Sequence, residues 1–327
     1  MIKIAVDLMG GDNAPEIVLD AIEMFLSQYE DVEIQGYGLE AYNKINHERY
    51  QFFPCTEQIT MEDEPVRSVR RKKDASMVRA AEAVKLKNAD ACVSAGNTGA
   101  LMSAGLFVVG RIKGVERPAL AMTLPTIDNK GFILLDMGAN ADAKPEHLVQ
   151  YAKMANVYAK ANRKIKQPTI GLANIGTEDK KGNTLTKETF ALLKEESSLN
   201  FIGNIEPKTL LNHSADIVVT DGFTGNIILK TLEGTATNIF KMLKSTLMGS
   251  TKNKIAASFI KKDLSALKDK MDYSEYGGAV LFGVNGLVIK AHGSSDKTAF
   301  FNALRQARIA IEEDVVATLS KEVGAVE

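Results

Sequence analysis

The chain has 327 residues, of which 45% are hydrophobic and 25% are charged, so it can form a full core and is not expected to be disordered. Lys and Arg number 40 against 41 Asp and Glu, and this balance gives no reason to expect nucleic acid as a partner. The two cysteines, Cys55 and Cys92, lack Cys-x-x-Cys or Cys/His spacing, so the sequence predicts neither a disulfide framework nor a metal site.

Short apolar runs rich in β-branched residues alternate with longer stretches of helical spacing, which is typical of an α/β fold. We predict helices from Ser76 to about Lys87, from Pro145 and from Thr186. Most of the strands are apolar throughout, so the sequence predicts a three-layer, mostly parallel sheet covered by helices on both faces. The predicted strands lie near residues 2–7, 32–36, 91–95, 119–124, 132–136, 169–174, 201–204 and 217–220.

No repeat, low-complexity tract or Pro-rich linker divides the chain. Residues 1–327 are therefore predicted to form a single α/β domain, or two closely joined lobes. No basic leader and no uncharged run of about 18 residues is present, so we expect a cytoplasmic protein that is neither exported nor membrane-spanning.

Loops rich in Gly and Asn follow most of the predicted strands. Glycine lets a backbone approach a ligand closely, and N–H groups at a following helix start bind anions. Ligands of parallel sheets bind beyond the carboxyl ends of the strands, so we expect these loops to meet at one sheet edge around an anionic ligand. Any one of them alone would be an ordinary turn. The loops are residues 7–15, 94–100, 136–140, 174–183, 221–226, 276–278 and 291–295.

Several familiar chemistries find no support in these loops. There is no Walker lysine motif, no Gly-x-Gly-x-x-Gly and no Gly-x-Ser-x-Gly. Cys92 lies in an apolar strand with no neighbouring His, so a buried core residue is the better interpretation than a nucleophile. The remaining polar residues are cations and neutral donors, which suit phosphate binding and oxyanion stabilisation. They are Asn97, Asn140, Lys180, Lys181, Thr224, Asn226 and His292.

Six of these segments, in chain order, resemble the PlsX family of phosphate acyltransferases. They are Asp-Leu-Met-Gly-Gly-Asp-Asn-Ala-Pro at 7–15, Ser-Ala-Gly-Asn-Thr-Gly-Ala-Leu at 94–101, Asp-Met-Gly-Ala-Asn at 136–140, Asn-Ile-Gly-Thr-Glu-Asp-Lys-Lys-Gly-Asn at 174–183, Thr-Asp-Gly-Phe-Thr-Gly-Asn at 220–226 and Lys-Ala-His-Gly-Ser-Ser at 290–295. The resemblance covers residues 1 to about 310.

The resemblance implies a fold like that of phosphate acetyltransferase and of the isocitrate and isopropylmalate dehydrogenases, and it implies a homodimer. The implied reaction moves a long-chain acyl group from acyl carrier protein to inorganic phosphate without a metal or other cofactor. The acyl phosphate would serve phospholipid synthesis, where a glycerol-3-phosphate acyltransferase could consume it.

The resemblance also assigns candidate site residues. Lys181 and Asn226 match the family's active-site lysine and asparagine. Our hypothesis is that Lys181 binds phosphate and supports its attack, while Asn226 and nearby N–H groups bind the thioester oxyanion. The candidates for binding substrate or phosphate are Gly10, Gly11, Asn97, Thr98, Asn140, Lys180, Thr224, Gly225 and His292.

Residues 241–270 form a basic segment, with eight lysines and only two acidic residues. Helical spacing predicts a basic amphipathic helix with an apolar stripe of Ile255, Phe259, Ile260, Leu264 and Leu267. Lys254, Lys261 and Lys268 fall on the opposite side, and Lys261 and Lys262 are the candidate cationic contacts for a membrane or partner. Such a helix can bind an anionic membrane surface, another subunit or an acidic carrier protein, or it can simply pack with its lysines in solvent. PlsX-like proteins are regarded as peripheral membrane enzymes, and this favours the membrane.

Two other functions remain open from the sequence. One is a phosphate acetyl- or butyryltransferase that uses acyl-coenzyme A, and the other is a membrane-surface binding protein without chemistry. A metal- and NAD-dependent dehydrogenase is less favoured, because no cluster of aspartates with metal-ligand character is present in the sequence.

Overall fold

The computed structural model describes residues 1–270 and 277–323, so Tyr276 of the predicted 276–278 loop lies outside the described residues. Within them the strands are β1 (Ile2–Asp7), β2 (Val32–Gly38), β3 (Tyr50–Pro54), β4 (Ala91–Ser94), β5 (Ala119–Leu124), β6 (Phe132–Leu135), β7 (Thr169–Ala173), β8 (Asn200–Ile205), β9 (Ile217–Val219), β10 (Ala279–Phe282) and β11 (Leu287–Lys290). The α-helices there are α1 (Glu16–Gln28), α2 (Pro65–Arg71), α3 (Ser76–Lys85), α4 (Thr98–Ala104), α5 (Pro145–Asn162), α6 (Thr184–Glu195), α7 (Gly222–Met248), α8 (Thr251–Phe259), α9 (Lys261–Lys270), α10 (Lys297–Glu312) and α11 (Val315–Val323).

The strands form one sheet in the order β3-β2-β1-β4-β11-β10-β5-β6-β9-β7-β8. Successive residues of a strand point to opposite faces, and each face has its own core. Ile4 and Val6 of β1 pack with α1, α5 and α10, whereas Ala5 packs with α3 and α4 on the other face. The predicted three-layer, mostly parallel α/β fold is therefore confirmed.

All eight predicted strands are present to within a few residues, but β3, β10 and β11 were not predicted. The last two have four residues each, the same length as the predicted β4 and β6, so shortness alone does not explain why they were missed. Asn285-Gly286, which stands between their apolar runs, is a turn signal that could have revealed them. Helix α6 begins at Thr184 rather than Thr186, because the side chain of Asn183 accepts a hydrogen bond from the Thr186 N–H and so caps the helix.

The expectation that the strand-end loops meet at one sheet edge is wrong. Three successive antiparallel pairs, β11–β10, β10–β5 and β5–β6, cross the middle of the sheet. An odd number of reversals makes β6, β9 and β7 run opposite to β1, β4 and β11. The loops consequently form two clusters at opposite edges, and two of the strands responsible for the reversal are the unpredicted β10 and β11.

The basic segment 241–270 is helical, as predicted, but it is not one helix. Helix α7 ends before Gly249, a poor helix former, and α8 then begins after Ser250, whose side chain caps it through the Asn253 N–H. A second break at Ile260 separates α8 from α9. We call residues 235–270 the helical arm. None of the described helices, including those of the arm, is long and apolar enough to span a bilayer.

The breaks also divide the predicted apolar stripe. Phe259 is 82% exposed, and Ile255, Ile260 and Leu267 are exposed as well. Leu264 instead lines a groove between α7 and the two shorter helices, and Lys261 lines the same groove. The predicted separation of an apolar side from a lysine side is therefore incorrect for these two residues, because α8 and α9 lie beside α7 and place both residues along one groove.

Candidate active site

The first loop cluster comprises the loops after β1, β4 and β11 (residues 8–15, 95–98 and 291–295). Its centre is Asp7, whose fully buried carboxylate accepts hydrogen bonds from the Met9 N–H at 3.0 Å and from the hydroxyls of Ser76 and Ser94 at 2.6 Å each. Burial raises the pKa of Asp7, and these hydrogen bonds act in the opposite direction. A buried carboxylate with three donors fixes the ends of two neighbouring strands.

Close backbone packing joins the loops of the first cluster. A Cβ at Gly10 would lie 2.4 Å from the backbone nitrogen of Gly96, so no side chain fits there. Gly11 has a φ of +106°, which favours glycine, and the next N–H, that of Asp12, donates to the Gly293 carbonyl at 2.8 Å. The glycines of this cluster therefore allow loop to pack on loop.

Asn97 and Thr98 stand at the start of α4 in this cluster. The Asn97 amide nitrogen lies 3.2 Å from each of three carbonyl oxygens, those of Thr60, Met61 and Asp63, and its Oδ1 accepts from the Ala100 N–H. Thr98 is exposed. The contacts of Asn97 favour a positioning role, since its amide is already engaged within the protein.

The second loop cluster comprises the loops after β6, β7 and β9 (residues 136–140, 174–183 and 220–226). Asp136 is fully buried, and its carboxylate accepts from the N–H groups of Leu120, Ala139 and Asn140 and from the Asn140 amide. Burial raises the pKa of Asp136, and these donors oppose the shift. Asp136 thus fixes the loops of this cluster by accepting several hydrogen bonds, as Asp7 does in the first cluster.

Helix α7 begins directly against this buried carboxylate loop. A Cβ at Gly225 would lie 1.9 Å from the Asp136 carbonyl oxygen, and one at Gly222 would lie 2.7 Å from that of Asn140. The Thr224 N–H and hydroxyl both bond the side chain of Asp221, which caps the helix. Gly225 therefore lets the start of α7 pack against the Asp136 backbone, and Thr224 takes part in the helix cap.

The three candidate asparagines differ in whether their amides are engaged. The Asn140 amide nitrogen is within 3.0 Å of the Pro118 carbonyl, the Asp136 carboxylate and the Tyr151 hydroxyl. Asn226 is exposed and lies against Gly138. Its amide has no hydrogen-bond partner among residues 1–270 and 277–323, whereas those of Asn97 and Asn140 are engaged. Asn226 is thus the candidate asparagine best able to donate to a ligand.

Lys181 lies in the same cluster, on the loop after β7, which neighbours β9 in the sheet. Its ammonium is half-exposed and lies 3.7 Å from the Glu178 carboxylate. Two side-chain amides fix the backbone of this loop. Asn174 donates to the Lys181 carbonyl at 3.1 Å, and Asn204 donates to the Glu178 carbonyl at 2.9 Å. Lys180 is exposed, and the described part of the chain offers its side chain no partner.

Helix α7 links the two clusters. Glu233, two turns after Asn226, lines the same groove as His292 of the first cluster. Residues four apart on a helix are neighbours on its surface. The stretch of α7 from Asn226 to Glu233 therefore extends from the second cluster toward His292, whose Nδ1 lies 2.8 Å from the Ser294 hydroxyl.

The family and the curated relatives match this chain over nearly its full length. The model of a family described as "Fatty acid synthesis protein" matches residues 2–318. A phosphate acyltransferase of Macrococcus caseolyticus is 74% identical over 323 residues, which are 99% of each chain. One of Staphylococcus aureus is 61% identical over 324 residues, again 99% of each chain. This chain belongs to the phosphate acyltransferase family. It is accordingly a transferase.

Solved structures share the fold of this family member at low sequence identity. A branched-chain phosphotransacylase from Enterococcus faecalis aligns with a TM-score of 0.60 and 16% identity, covering 95% of this chain and all of the other. A 4-hydroxythreonine-4-phosphate dehydrogenase from Klebsiella pneumoniae aligns with a TM-score of 0.54, 14% identity and the same two coverages. These likenesses establish the architecture, which agrees with the fold that the sequence resemblance implied.

Neither cysteine of this acyltransferase is suited to nucleophilic chemistry. Cys55 and Cys92 are both buried. Burial raises the pKa of the Cys55 thiol to about 12 and raises that of Cys92 further, and the thiolate is the reactive form. The interpretation of Cys92 as a core residue is supported by its place in the apolar core on one sheet face.

The sequence reasoning missed Lys290 at the carboxyl end of β11. It is 8% exposed, and its ammonium donates to the carbonyl oxygens of Ala95, at 3.0 Å, and Ala291. Burial lowers the pKa of Lys290 to about 8, although Asp7 and Asp12 oppose the shift. A lysine that ends an apolar strand beside a Gly-rich loop was the available signal.

The lowered pKa of Lys290 predicts a pH dependence of stability. Above about pH 8 the folded protein releases this proton while the unfolded chain keeps it up to about pH 10.5. Stability therefore rises with pH in this window, by about 3 kcal/mol at most. Urea unfolding of the wild type and of Lys290→Met at pH 7 and pH 10 should show the wild type gaining on the variant. A difference that is constant with pH would contradict the shift.

Proposed function

We propose that this acyltransferase moves a long-chain acyl group from acyl carrier protein to inorganic phosphate, producing acyl phosphate for phospholipid synthesis. One observation carries the proposal: a half-exposed ammonium, that of Lys181, and a free amide, that of Asn226, follow neighbouring strands in one loop cluster. The names of the relatives, phosphate acyltransferase, support phosphate as the acceptor.

The proposed reaction is direct. An oxygen of the phosphate attacks the thioester carbonyl carbon, and as the C–O bond forms the carbonyl oxygen takes the electron pair. Collapse of this oxyanion breaks the C–S bond, and the carrier leaves as a thiolate that takes up a proton. Lys181 binds and orients the phosphate, while Asn226 donates to the oxyanion. The buried, high-pKa cysteines fit a path without a thioester on the enzyme.

The Lys181–Glu178 pair is compatible with phosphate binding. Both side chains are about half-exposed or more, with fractions of 49% and 65%, and an exposed ion pair contributes only about 0–1 kcal/mol. A phosphate dianion can thus displace Glu178 from the ammonium. Lys180 adds a second cation to the same loop, and both lysines remain proposed phosphate-binding residues.

We assign a supporting part in substrate binding to the remaining candidates. Gly10, Gly11, Thr98 and His292 form the proposed donor side in the first loop cluster, whereas Thr224 and Gly225 shape the start of α7 beside Asn226. Asn97 and Asn140 act as positioning residues, since their amides already hold loops in place. The stretch of α7 from Asn226 to Glu233, which extends between the clusters, supports a substrate that reaches both.

Incubation of the purified protein with phosphate and long-chain acyl carrier protein tests the function. Acyl phosphate should form, and hydroxylamine trapping followed by mass spectrometry would detect it. A parallel reaction with acyl-coenzyme A compares the two donors. A phosphate acetyl- or butyryltransferase, the rival function, would form acyl phosphate faster from acyl-coenzyme A than from acyl carrier protein. Absence of acyl phosphate with both donors would favour a binding protein without chemistry.

We also propose a homodimer that associates peripherally with anionic membrane through the helical arm. The exposed apolar side chains of Ile255, Phe259 and Ile260, with Lys262 beside them, support this part of the proposal. An apolar insertion and a cationic attraction would contribute separately, because only the second is screened by salt.

Changing Phe259 and Ile260 together to Glu is expected to release the protein from anionic vesicles at every salt concentration. The two substitutions remove apolar surface whose burial contributes about 25 cal/mol per Å², and salt does not screen this contribution. Changing Lys261 and Lys262 to Gln should weaken binding chiefly at low salt. Vesicle sedimentation between low and high salt measures both effects. If vesicle binding survives the Glu pair, or if that pair breaks the dimer, the exposed face is not a membrane contact.

A further inference from the structure

Helix α2 presents a strongly basic surface. Five of the eight residues 66–73 are Arg or Lys, and none is acidic. Lys72 forms a salt bridge with Asp63, whereas the other four basic side chains are exposed and form no salt bridge with a described residue. These four are Arg67, Arg70, Arg71 and Lys73. Like charges four residues apart on a helix destabilise it, so this cluster does not serve the stability of α2.

The acidic side chains that flank α2 do not neutralise this surface. Glu64 accepts hydrogen bonds from two N–H groups at the start of the helix, at 3.2 and 2.6 Å, and so caps it. Asp63 and Asp74 are engaged in salt bridges of 2.7 and 2.5 Å. Glu62 is exposed, so the surface presents four cations against one carboxylate. Its net charge therefore favours an acidic partner.

The start of α2 lies against the first loop cluster. The Asn97 amide is 3.2 Å from the carbonyl oxygens of residues 60, 61 and 63, just before the helix. A Cβ at Gly99 would lie 2.7 Å from Cγ of Pro65, the first residue of α2. A Cβ at Gly293 would lie 2.9 Å from Cε of Met61. The basic helix thus begins directly beside the proposed donor side of the active site.

Exposed apolar side chains accompany the cations. Val66 is 37% exposed and Phe107, beyond the end of α4, is 47% exposed. The Arg70 guanidinium lies 5.0 Å from the centre of the Phe107 ring, so the aromatic ring and the basic helix form one continuous surface. Arginine and aromatic residues are enriched at protein interfaces, whereas small molecules bind in concave sites. An exposed helix face of this composition fits a protein partner.

We propose that the α2 surface, which consists of Val66, Arg67, Arg70, Arg71, Lys73 and Phe107, is the docking surface for the acyl carrier protein. The proposal rests on the proposed function, in which an acidic carrier protein delivers the acyl group. A carrier docked on α2 holds its thioester beside the first loop cluster. A lipid surface would need no such neighbour, so the position of α2 favours a partner that carries substrate. Electrostatic attraction of this kind mainly accelerates encounter and fixes orientation.

Reversing two charges, with Arg67→Glu and Arg71→Glu combined, tests the proposal. We expect KM for long-chain acyl carrier protein to rise at least tenfold at low salt, with kcat changed less than twofold. The same acyl group on pantetheine, which lacks the protein part of the donor, should react at the wild-type rate. Binding of fluorescently labelled carrier protein, measured by anisotropy without turnover, should weaken at least tenfold. The milder pair Arg67→Gln and Arg71→Gln should change both values less, in the same direction.

Lys85→Glu combined with Lys160→Glu is the matched control. These lysines are exposed, one at the C-terminal end of α3 and the other in the last turn of α5. The pair makes the same change in net charge away from α2. Both KM for acyl carrier protein and the affinity for labelled carrier should stay within twofold of the wild type.

The outcomes separate this proposal from the proposed function. Unchanged KM and unchanged carrier binding in the Arg67 and Arg71 variants would overturn the docking surface, and so would equal losses with the carrier-bound and pantetheine donors. Loss of binding to anionic vesicles with carrier binding retained would make α2 a lipid contact and also overturn it. If the wild type makes no acyl phosphate from any donor, the proposed function fails, and carrier binding alone then decides the α2 surface.

Discussion

Replacement of Asn226 by Ala is expected to lower kcat on the order of 10²-fold or more, with little change in KM. An oxyanion donor acts mainly in the transition state, so its loss affects turnover rather than substrate binding. The Asn226 amide is exposed and has no partner in the described part of the chain, so the substitution leaves no buried group unpaired. Steady-state kinetics with acyl carrier protein and phosphate would measure the effect.

Asn238→Ala is the matched control for this variant, because it removes an exposed amide from the same helix three turns further on. Its kcat should equal that of the wild type. An Asn226→Ala enzyme with unchanged kcat and a raised KM would instead make Asn226 a residue that binds the ground state.

Replacement of Lys181 by Ala is expected to lower kcat/KM for phosphate about tenfold to a hundredfold, since a hydrogen bond to a charged group contributes about 1.5–3 kcal/mol. The ammonium is half-exposed and is paired with Glu178 alone among described residues, so the fold should be unaffected. Kinetics at varied phosphate concentration, with circular dichroism of the variant, provide the test.

Lys187→Ala serves as the control for charge, because Lys187 is an exposed lysine of α6, close to Lys181 in the chain. It should behave like the wild type. A Lys181→Arg variant that retains much of the activity would indicate that the positive charge is the main requirement. Unchanged acyl phosphate formation by folded Lys181→Ala would remove the basis of the proposed mechanism.

The fold class could be read from local pattern because strand and helix periodicities are local. Runs such as Ala119–Leu124 and Phe132–Leu135 are almost wholly apolar, as is typical of strands buried on both faces. Strands β10 and β11 are as short as β6 and were missed, although the Asn285-Gly286 turn lies between them. Their absence from the predicted set also hid the reversal of strand direction, so the sequence analysis placed all the loops at one edge.

The candidate residues were found because glycine, asparagine and lysine at strand ends carry a local chemical meaning. Their individual roles depended on contacts between distant segments. Asn97 and Asn226 look alike in the sequence, yet the amide of the first is engaged by the carbonyl groups of residues 60–63 and that of the second is free. The helical arm also shows that contacts between distant segments decide a residue's role. Phe259 and Leu264 belong to one predicted apolar stripe, yet the first is exposed to solvent and the second lines a groove.

The sequence by itself determined the α/β class, the Gly-rich loops, the family resemblance and the positions of Lys181 and Asn226, because periodicity and motif are properties of neighbouring residues. The tertiary structure alone decided which strands run in which direction, which amides are engaged, that Lys290 is buried against the Ala95 carbonyl, and that the helical arm folds back to form a groove. These features depend on burial and on pairing between residues far apart in the chain, and local pattern does not encode either.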